Sequence, residues 1–239
     1  MLHQDTNQNK YLFSFLFILL LGALLLGGAK VVFAADDPPG LDEMMEIEAE
    51  GEFDPEEFSL EIRRDAQKEA ALSYGARGGL AQRTFEIRQD LQRQEATMDR
   101  IYDFGQLLIK APSGLMMEPP IVTEAQNNLL LNSSGQQVAV SDLLYSINKP
   151  AKFVTAPRNW RTYLEREWGD VPAPPDILLP QTAEERKNWR KWVQKGWKEG
   201  YQQGEEIFQT DLDRLVADFT GMVRYRMLLS QNMISPPFA

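Results

Sequence analysis

One stretch constrains the fold of this chain more than any other: a helical pattern that starts at Thr182 and runs to about Ser230. Thr182 and Glu185 have the spacing of a capping box, in which side chain and backbone satisfy each other's N–H groups at a helix start. Trp189, Trp192 and Val193, then Phe208, Leu212, Leu215, Val216, Phe219, Val223 and Met227 follow near a helical period. Pro236 and Pro237 stop any continuation, because proline lacks the N–H a helix needs. A periodic run this long exceeds the usual helix length. It is therefore expected either to project from its domain or to break once within 196–204.

Gly196, Gly200 and Gly204 recur every four residues inside that run, beside Trp192, Trp197 and Tyr201. Residues four apart share a helix face, so the glycines form a groove that admits another backbone. Each costs about 1 kcal/mol of helix propensity against alanine. Two occupants are open: a helix of the same chain, or another subunit, since Trp and Tyr mark interfaces. Trp189, Trp192, Gly196, Trp197, Gly200, Tyr201 and Gly204 are the candidate packing or partner residues. Arg224, Tyr225 and Arg226 join them as a possible contact for an acidic partner, against a solvated helix end. The neighbouring acids Glu184/Glu185, Glu205/Glu206 and Asp211/Asp213 do not face each other on a helix. Asp211 and Asp218 flank Arg214 at helical spacing and read as surface ion pairs. No phosphate-binding loop or nucleophile elbow appears.

The rest of the chain supplies a second long helical part and a middle of strands. Asp54, Pro55, Glu56 and Glu57 form a helix start, with a cap, a proline at the first position and acids at the positive dipole end. That helix is expected to reach about Tyr74 and to break at Gly75, Gly78 and Gly79. A second is expected over about 80–102, with Ile87, Leu91, Met98, Ile101 and Tyr102 on its apolar face. Strands are expected over 106–110, 121–131, 137–141 and 145–154, with a turn at 132–135. A short helix over 158–167 follows Pro157, then a proline-rich extended connector over 169–180. The fold class is α+β: long helices packed with a small antiparallel sheet.

The first 35 residues read as a secretory signal or signal anchor. A polar start with Lys10 precedes an uncharged apolar run over 11–29, then small residues with the cleavage point between Ala34 and Ala35. Residues 36–57 carry acids and no basic residue, and are expected to be a flexible tether. Their spacing does not fit an EF-hand calcium loop. Residues 58–239 are then one domain. The only histidine is His3 and there is no cysteine, so a chain cut after Ala34 has neither imidazole nor thiol. That excludes a cysteine nucleophile, a disulfide framework, a histidine triad and a His/Cys zinc site. A net charge of −10 argues against nucleic acid or anionic lipid as the main partner.

Several ordered blocks carry a resemblance: Ala71-Leu-Ser-Tyr-Gly-Ala-Arg-Gly-Gly-Leu80, Ile101-Tyr-Asp-Phe104, Pro119-Pro-Ile-Val-Thr-Glu-Ala125, Trp160-Arg-Thr-Tyr-Leu164, Gly196-Trp-Lys-Glu-Gly200 and Thr220-Gly-Met-Val-Arg-Tyr-Arg226. As a set they resemble the DotC family, which includes the TraI-type lipoproteins of conjugative plasmids. The resemblance implies a non-catalytic structural subunit in the outer-membrane core complex of a type IVB, Dot/Icm-like secretion or conjugation apparatus. It implies DotD-like and DotH-like partners, help in placing the DotH-like protein, and no catalytic, metal or cofactor residues. No direct contact with nucleic acid and no small-molecule substrate are expected. Localisation is expected in the periplasm, at the outer membrane through partners, or at the inner membrane if the signal stays uncut. Typical members carry a lipobox cysteine, where this chain has Val32-Phe-Ala-Ala-Asp36, and they continue past the motif near 234–238. Two other classes stay open on the residues alone: a periplasmic carboxylate-dependent glycan hydrolase and a free-standing binding module.

Overall fold

The long C-terminal pattern folds as one helix. In the computed structural model, which describes residues 37–49, 51, 60–131 and 138–237, the helix Ala183–Ser230 (α5 in chain order) spans 48 residues without a break. At 1.5 Å per residue that is roughly 72 Å. Thr182 caps it as expected: its hydroxyl accepts from the Glu185 N–H at 3.2 Å, and the Glu185 carboxylate accepts from the Thr182 N–H at 3.2 Å. Of the two alternatives, the break within 196–204 does not occur: those glycines are buried against a neighbouring helix that holds the backbone in place.

That neighbour corrects a second expectation. Gly75, Gly78 and Gly79 do not end a helix; they lie inside a continuous one, Leu60–Arg93 (α2). Local propensity disfavours them by about 1 kcal/mol each, and tertiary contact overrides it. The helical pattern expected over 80–102 is split only at Gln94, where the N–H is shared between the Asp90 and Leu91 carbonyls, before the short helix Glu95–Ile101 (α3).

Within the acidic segment expected to be a flexible tether, Leu41–Glu46 forms a short helix (α1). Leu41, Met44 and Met45 have the i, i+3, i+4 spacing of one helix face. Met44 is fully buried, which stabilises by roughly 1.5–3 kcal/mol. Its carbonyl accepts from the Trp189 indole at 3.1 Å. Apolar spacing outweighed charge there. The signal and its cleavage point, the helix start at Asp54 and the turn at 132–135 lie outside the described residues.

The middle is antiparallel, with altered bounds. Ile109–Lys110 (β1), Met116–Glu118 (β2) and Lys152–Val154 (β5) form a three-stranded sheet in the order β1-β2-β5. Ile109 pairs with Met117, and Met117 with Phe153. Ile121–Leu131 (β3) and Val138–Lys149 (β4) make a two-stranded ribbon, with Glu124 opposite Tyr145. The expected strand over 106–110 is a 3₁₀ turn, Phe104–Leu107, followed by only two strand residues. The strand expected over 145–154 is cut at Pro150, which has no N–H for the ladder. Helix over 158–167 shrinks to Arg161–Leu164 (α4), and the proline-rich connector contains a 3₁₀ turn at Asp176–Leu178, followed by Leu179 in an extended conformation.

Three buried clusters line the inner side of α5. Met44, Ala71, Tyr74, Leu179, Trp189 and Val193 pack near its start. Ile87, Leu91, Phe104, Ile121, Trp160, Tyr163, Leu164, Leu215 and Met222 pack along its second half. Ile109, Val122, Tyr225 and Leu228 pack near its end.

Candidate functional site

The glycine row of α5 meets a matching row on α2. A Cβ built on Gly196 would lie 2.1 Å from the Leu72 carbonyl oxygen, and one on Gly200 would lie 1.9 Å from that of Ala76. In return, a Cβ on Gly75 would lie 2.2 Å from the Val193 oxygen, and one on Gly79 2.1 Å from that of Trp197. The two backbones touch along one turn after another. Gly204 is milder: its Cβ would meet the Arg83 Cβ at 2.9 Å, a side-chain contact. The groove is filled by the chain's own helix. The partner row has a signal in the sequence, since Ala71, Gly75 and Gly79 share the same four-residue spacing, but the local helix-breaking tendency of glycine masks it.

The aromatic residues divide into floor and rim. Trp189 is buried, Trp192 and Trp197 are half-buried against the first cluster, and the Tyr201 hydroxyl donates to Glu86 at 2.6 Å. Arg83 stacks over the Tyr201 ring and pairs with Glu205 at 2.5 Å. Burial pushes Glu86 up, but hydrogen bonds from Tyr201, Gln82 and Arg83 outweigh it and hold this carboxyl below its ordinary value. Trp197 and Tyr201 form the wall of a shallow groove that Lys191, Gln194, Lys195, Lys198 and Gln202 border.

Ion pairs fasten the β part to α5. Asp218 accepts from Lys149 at 2.8 Å, from Arg158 at 2.9 Å and from the Tyr163 hydroxyl at 2.9 Å. Glu118 is held by Arg158 at 2.9 Å and by Lys152 at 3.4 Å. Burial works against the Arg158 charge, but its bonds to Glu118 and Tyr163 raise it above the ordinary guanidinium value. Asp211 is buried and is held by Arg166 at 2.6 Å and Arg214 at 3.3 Å. The expected Asp211–Arg214 pair is present, but both acids are buried rather than at the surface, and Asp218 binds residues distant in sequence instead of Arg214. Arg224 donates to Glu124 at 3.1 Å and to the Val122 carbonyl at 2.8 Å, holding the ribbon to α5. Tyr225 is buried and its hydroxyl donates to the Ser235 carbonyl at 3.1 Å. Arg226 is half-buried and forms no ion pair with another described residue.

The outer side of α5 carries a different surface. Asp211, Leu215, Asp218, Met222 and Tyr225 are buried on one side. At about 100° per residue, Val216, Val223 and Met227 fall on the opposite side, and they are 41%, 41% and 45% exposed. They lie at i, i+7 and i+11, the spacing of a seam between two helices.

The chain is thus a helical pair clamped by backbone contact, with a small antiparallel β part and an exposed apolar ridge on its long helix. The family described as type IV secretory system, conjugal DNA-protein transfer, the TraI family, matches residues 61–239, and this chain belongs to it. It is thus a type IV secretion and conjugation component. No curated protein matches the chain. The match spans α2 to the end of α5, so it includes both glycine rows and the ion-pair network. Among the described residues no helix is long and apolar enough to cross a membrane.

Proposed function

We propose that this chain is a non-catalytic structural subunit of the outer-membrane core complex of a type IVB, Dot/Icm-like system, a DotC-type member that helps to place a DotH-like partner. The observation that carries the reading is the apolar ridge of Val216, Val223 and Met227 on the outer side of α5. A single exposed valine is ordinary. Three in helical register, opposite a fully packed side, suit a docked helix. Its occupant is the DotH-like subunit, with a DotD-like subunit in the same assembly.

The buried acids support a structural role over glycan hydrolysis. A glycosidase pair needs two carboxylates roughly 5–10 Å apart with substrate or water between them. Glu118 and Asp218 come together here, but the Arg158 guanidinium bridges them with 2.9 Å contacts to each. The space that chemistry requires is filled by a cation.

The chain works in the periplasm and reaches the outer membrane through its partners; where the resembling family has its lipobox cysteine, this sequence has Val32-Phe-Ala-Ala-Asp36. Deleting it is expected to abolish transfer while the envelope stays intact, and to leave the DotH-like subunit mislocalised. Normal transfer after deletion, or hydrolysis of cell-wall glycan by the purified chain, overturns the reading. Fractionation tests the location separately: an uncut N-terminus that stays in the inner membrane without the rest of the apparatus marks a retained anchor.

A further inference from the structure

We infer that the first half of α5 carries a docking site for an acidic segment of a partner protein. The inference is independent of where in the envelope the chain works. It starts from a local reversal of charge. The chain carries −10 overall, yet between Arg186 and Lys198 there are six basic residues and no acidic one: Arg186, Lys187, Arg190, Lys191, Lys195 and Lys198.

The helix sorts these cations into two sets. At about 100° per residue, Arg186 and Arg190 fall on the side that faces α1, and the four lysines fall within an arc of roughly 80° on the outer side. The two arginines are occupied by the chain's own acidic segment. Arg190 pairs with Glu46 at 2.7 Å and Arg186 with Glu48 at 3.6 Å. Of the outer set, Lys195 reaches only the exposed Glu199, at 3.8 Å. Lys187, Lys191 and Lys198 are exposed and form no ion pair with another described residue.

The lysines also border something apolar. Lys191, Lys195 and Lys198 edge a groove of about 780 Å³ whose wall is Trp197, Tyr201 and Leu41. A merely solvated basic face has no reason to sit beside two half-buried aromatic rings. α1 shows what the adjoining arginine side accepts: an acidic, methionine-containing segment in which Glu46 takes Arg190 while Met44 enters the core. The groove beside it offers the same chemistry, cations next to an apolar floor, still unfilled by any described residue. An acidic segment with one or two apolar side chains fits it. A long polyanion fits less well, because the acidic remainder of the chain repels it beyond the lysines, which span only about 16 Å.

The test uses the full chain and a labelled synthetic peptide of about twelve residues, long enough to cover the stripe as a helix. The peptide alternates glutamate and alanine around a central phenylalanine. Anisotropy is expected to show binding that weakens as salt rises from about 50 to 300 mM. Lys191→Glu/Lys195→Glu/Lys198→Glu is expected to weaken it by about tenfold or more with an unchanged melt, these side chains being exposed. The corresponding glutamine variant is expected to fall between. Arg186→Ala/Arg190→Ala is expected to leave binding within about twofold, since those cations pair with Glu48 and Glu46 of the chain's own acidic segment. The site is overturned if the peptide does not bind, if the lysine variants bind it equally, or if binding is lost with the arginine pair, which means the peptide replaces α1. It is also overturned if a single-stranded oligonucleotide or phosphatidylglycerol vesicles bind more tightly through the same lysines.

Discussion

The two halves of α5 are held by different means, although Gly221 also brings the second half close to Ile121 and Val122. In the first half its backbone touches the α2 backbone at Gly196 and Gly200, and the contact works because side chains are missing. In the second half the β part is held by long side chains that reach in: Arg158 to Glu118 and Asp218, Lys149 to Asp218, Arg224 to Glu124. The first joint is short-ranged, uncharged and intolerant of any added atom. The second adds these ion pairs, partly exposed to water, to the apolar packing of Ile121 and Val122 with Leu215, Met222 and Leu228. A rigid helical pair and a charge-latched β part follow, and the difference can be broken open one residue at a time.

The largest effect is expected at the glycine joint. Gly200→Leu places a side chain where even a Cβ would be 1.9 Å from a carbonyl oxygen. Overpacking costs about 1–3 kcal/mol and occasionally more, and here the obstacle is backbone, so about 3 kcal/mol or more is expected. The purified chain should melt lower by roughly 6–12 °C, at 2–4 °C per kcal/mol for a protein of this size. An unchanged or higher melt would mean that α2 does not fill the groove. Exposed Lys198→Leu is the control and should leave the melt nearly unchanged.

Next comes the charge latch. Asp218→Asn removes the negative charge and one of the two acceptor oxygens that serve Lys149, Arg158 and Tyr163. Breaking a buried pair typically costs about 3–5 kcal/mol, but the Lys149 side chain is 46% exposed and water can take it back. About 2 kcal/mol is expected in denaturant titrations, with amide exchange rising in the ribbon and unchanged in the first half of α2. Equal loosening of both regions would dissolve the distinction.

Acid and base should act at the edges of these joints. Hydrogen bonds hold Glu86 below its ordinary 4.5, against desolvation, and hydrogen bonds from Arg161 and Trp160 hold Asp99 below 3.8. A lowered carboxyl contributes stability that is full above its unfolded value and lost as pH falls through the folded one. Burial raises Tyr163, and its bond to Asp218 adds to that against the opposing Arg158. A raised phenol contributes fully below pH 10 and loses the contribution as pH rises through its folded value. Melts are expected to be level between about pH 5 and 10, with no histidine step in the described residues, and to fall on both sides. A step near pH 6–7 would contradict this.

The smallest effect is expected at Gly204→Ala. Its Cβ meets the Arg83 stem at 2.9 Å, a contact that a side chain can relieve. Alanine returns nearly 1 kcal/mol of helix propensity, so the melt should move by less than about 3 °C. A loss as large as that of Gly200→Leu would mean that the rigid crossing extends further than the backbone contacts do.

Much of α5 was legible because everything that defines it is local: the Thr182 and Glu185 cap, the apolar period and the terminal prolines. The fold class followed from the same kind of signal. α2 was misread because glycine has a strong local meaning, and only the facing row at Gly196 and Gly200 reverses it. Met44 was hidden by the acids around it, although Leu41, Met44 and Met45 already had helical spacing. The latch at Asp218 was not legible at all. Its partners Lys149, Arg158 and Tyr163 lie 55 to 69 residues away, and no spacing rule connects them.

The central claim is that the chain is an assembly subunit which docks through the outer ridge of α5. It is tested most directly by co-purification from envelope extracts with Val216→Glu, Val223→Glu and Met227→Glu combined. All three side chains are more than a third exposed, so the variant is expected to melt like the native chain. It is expected to lose the proposed DotD-like and DotH-like partners and to fail in transfer. A variant that keeps both partners and transfers normally would contradict the claim.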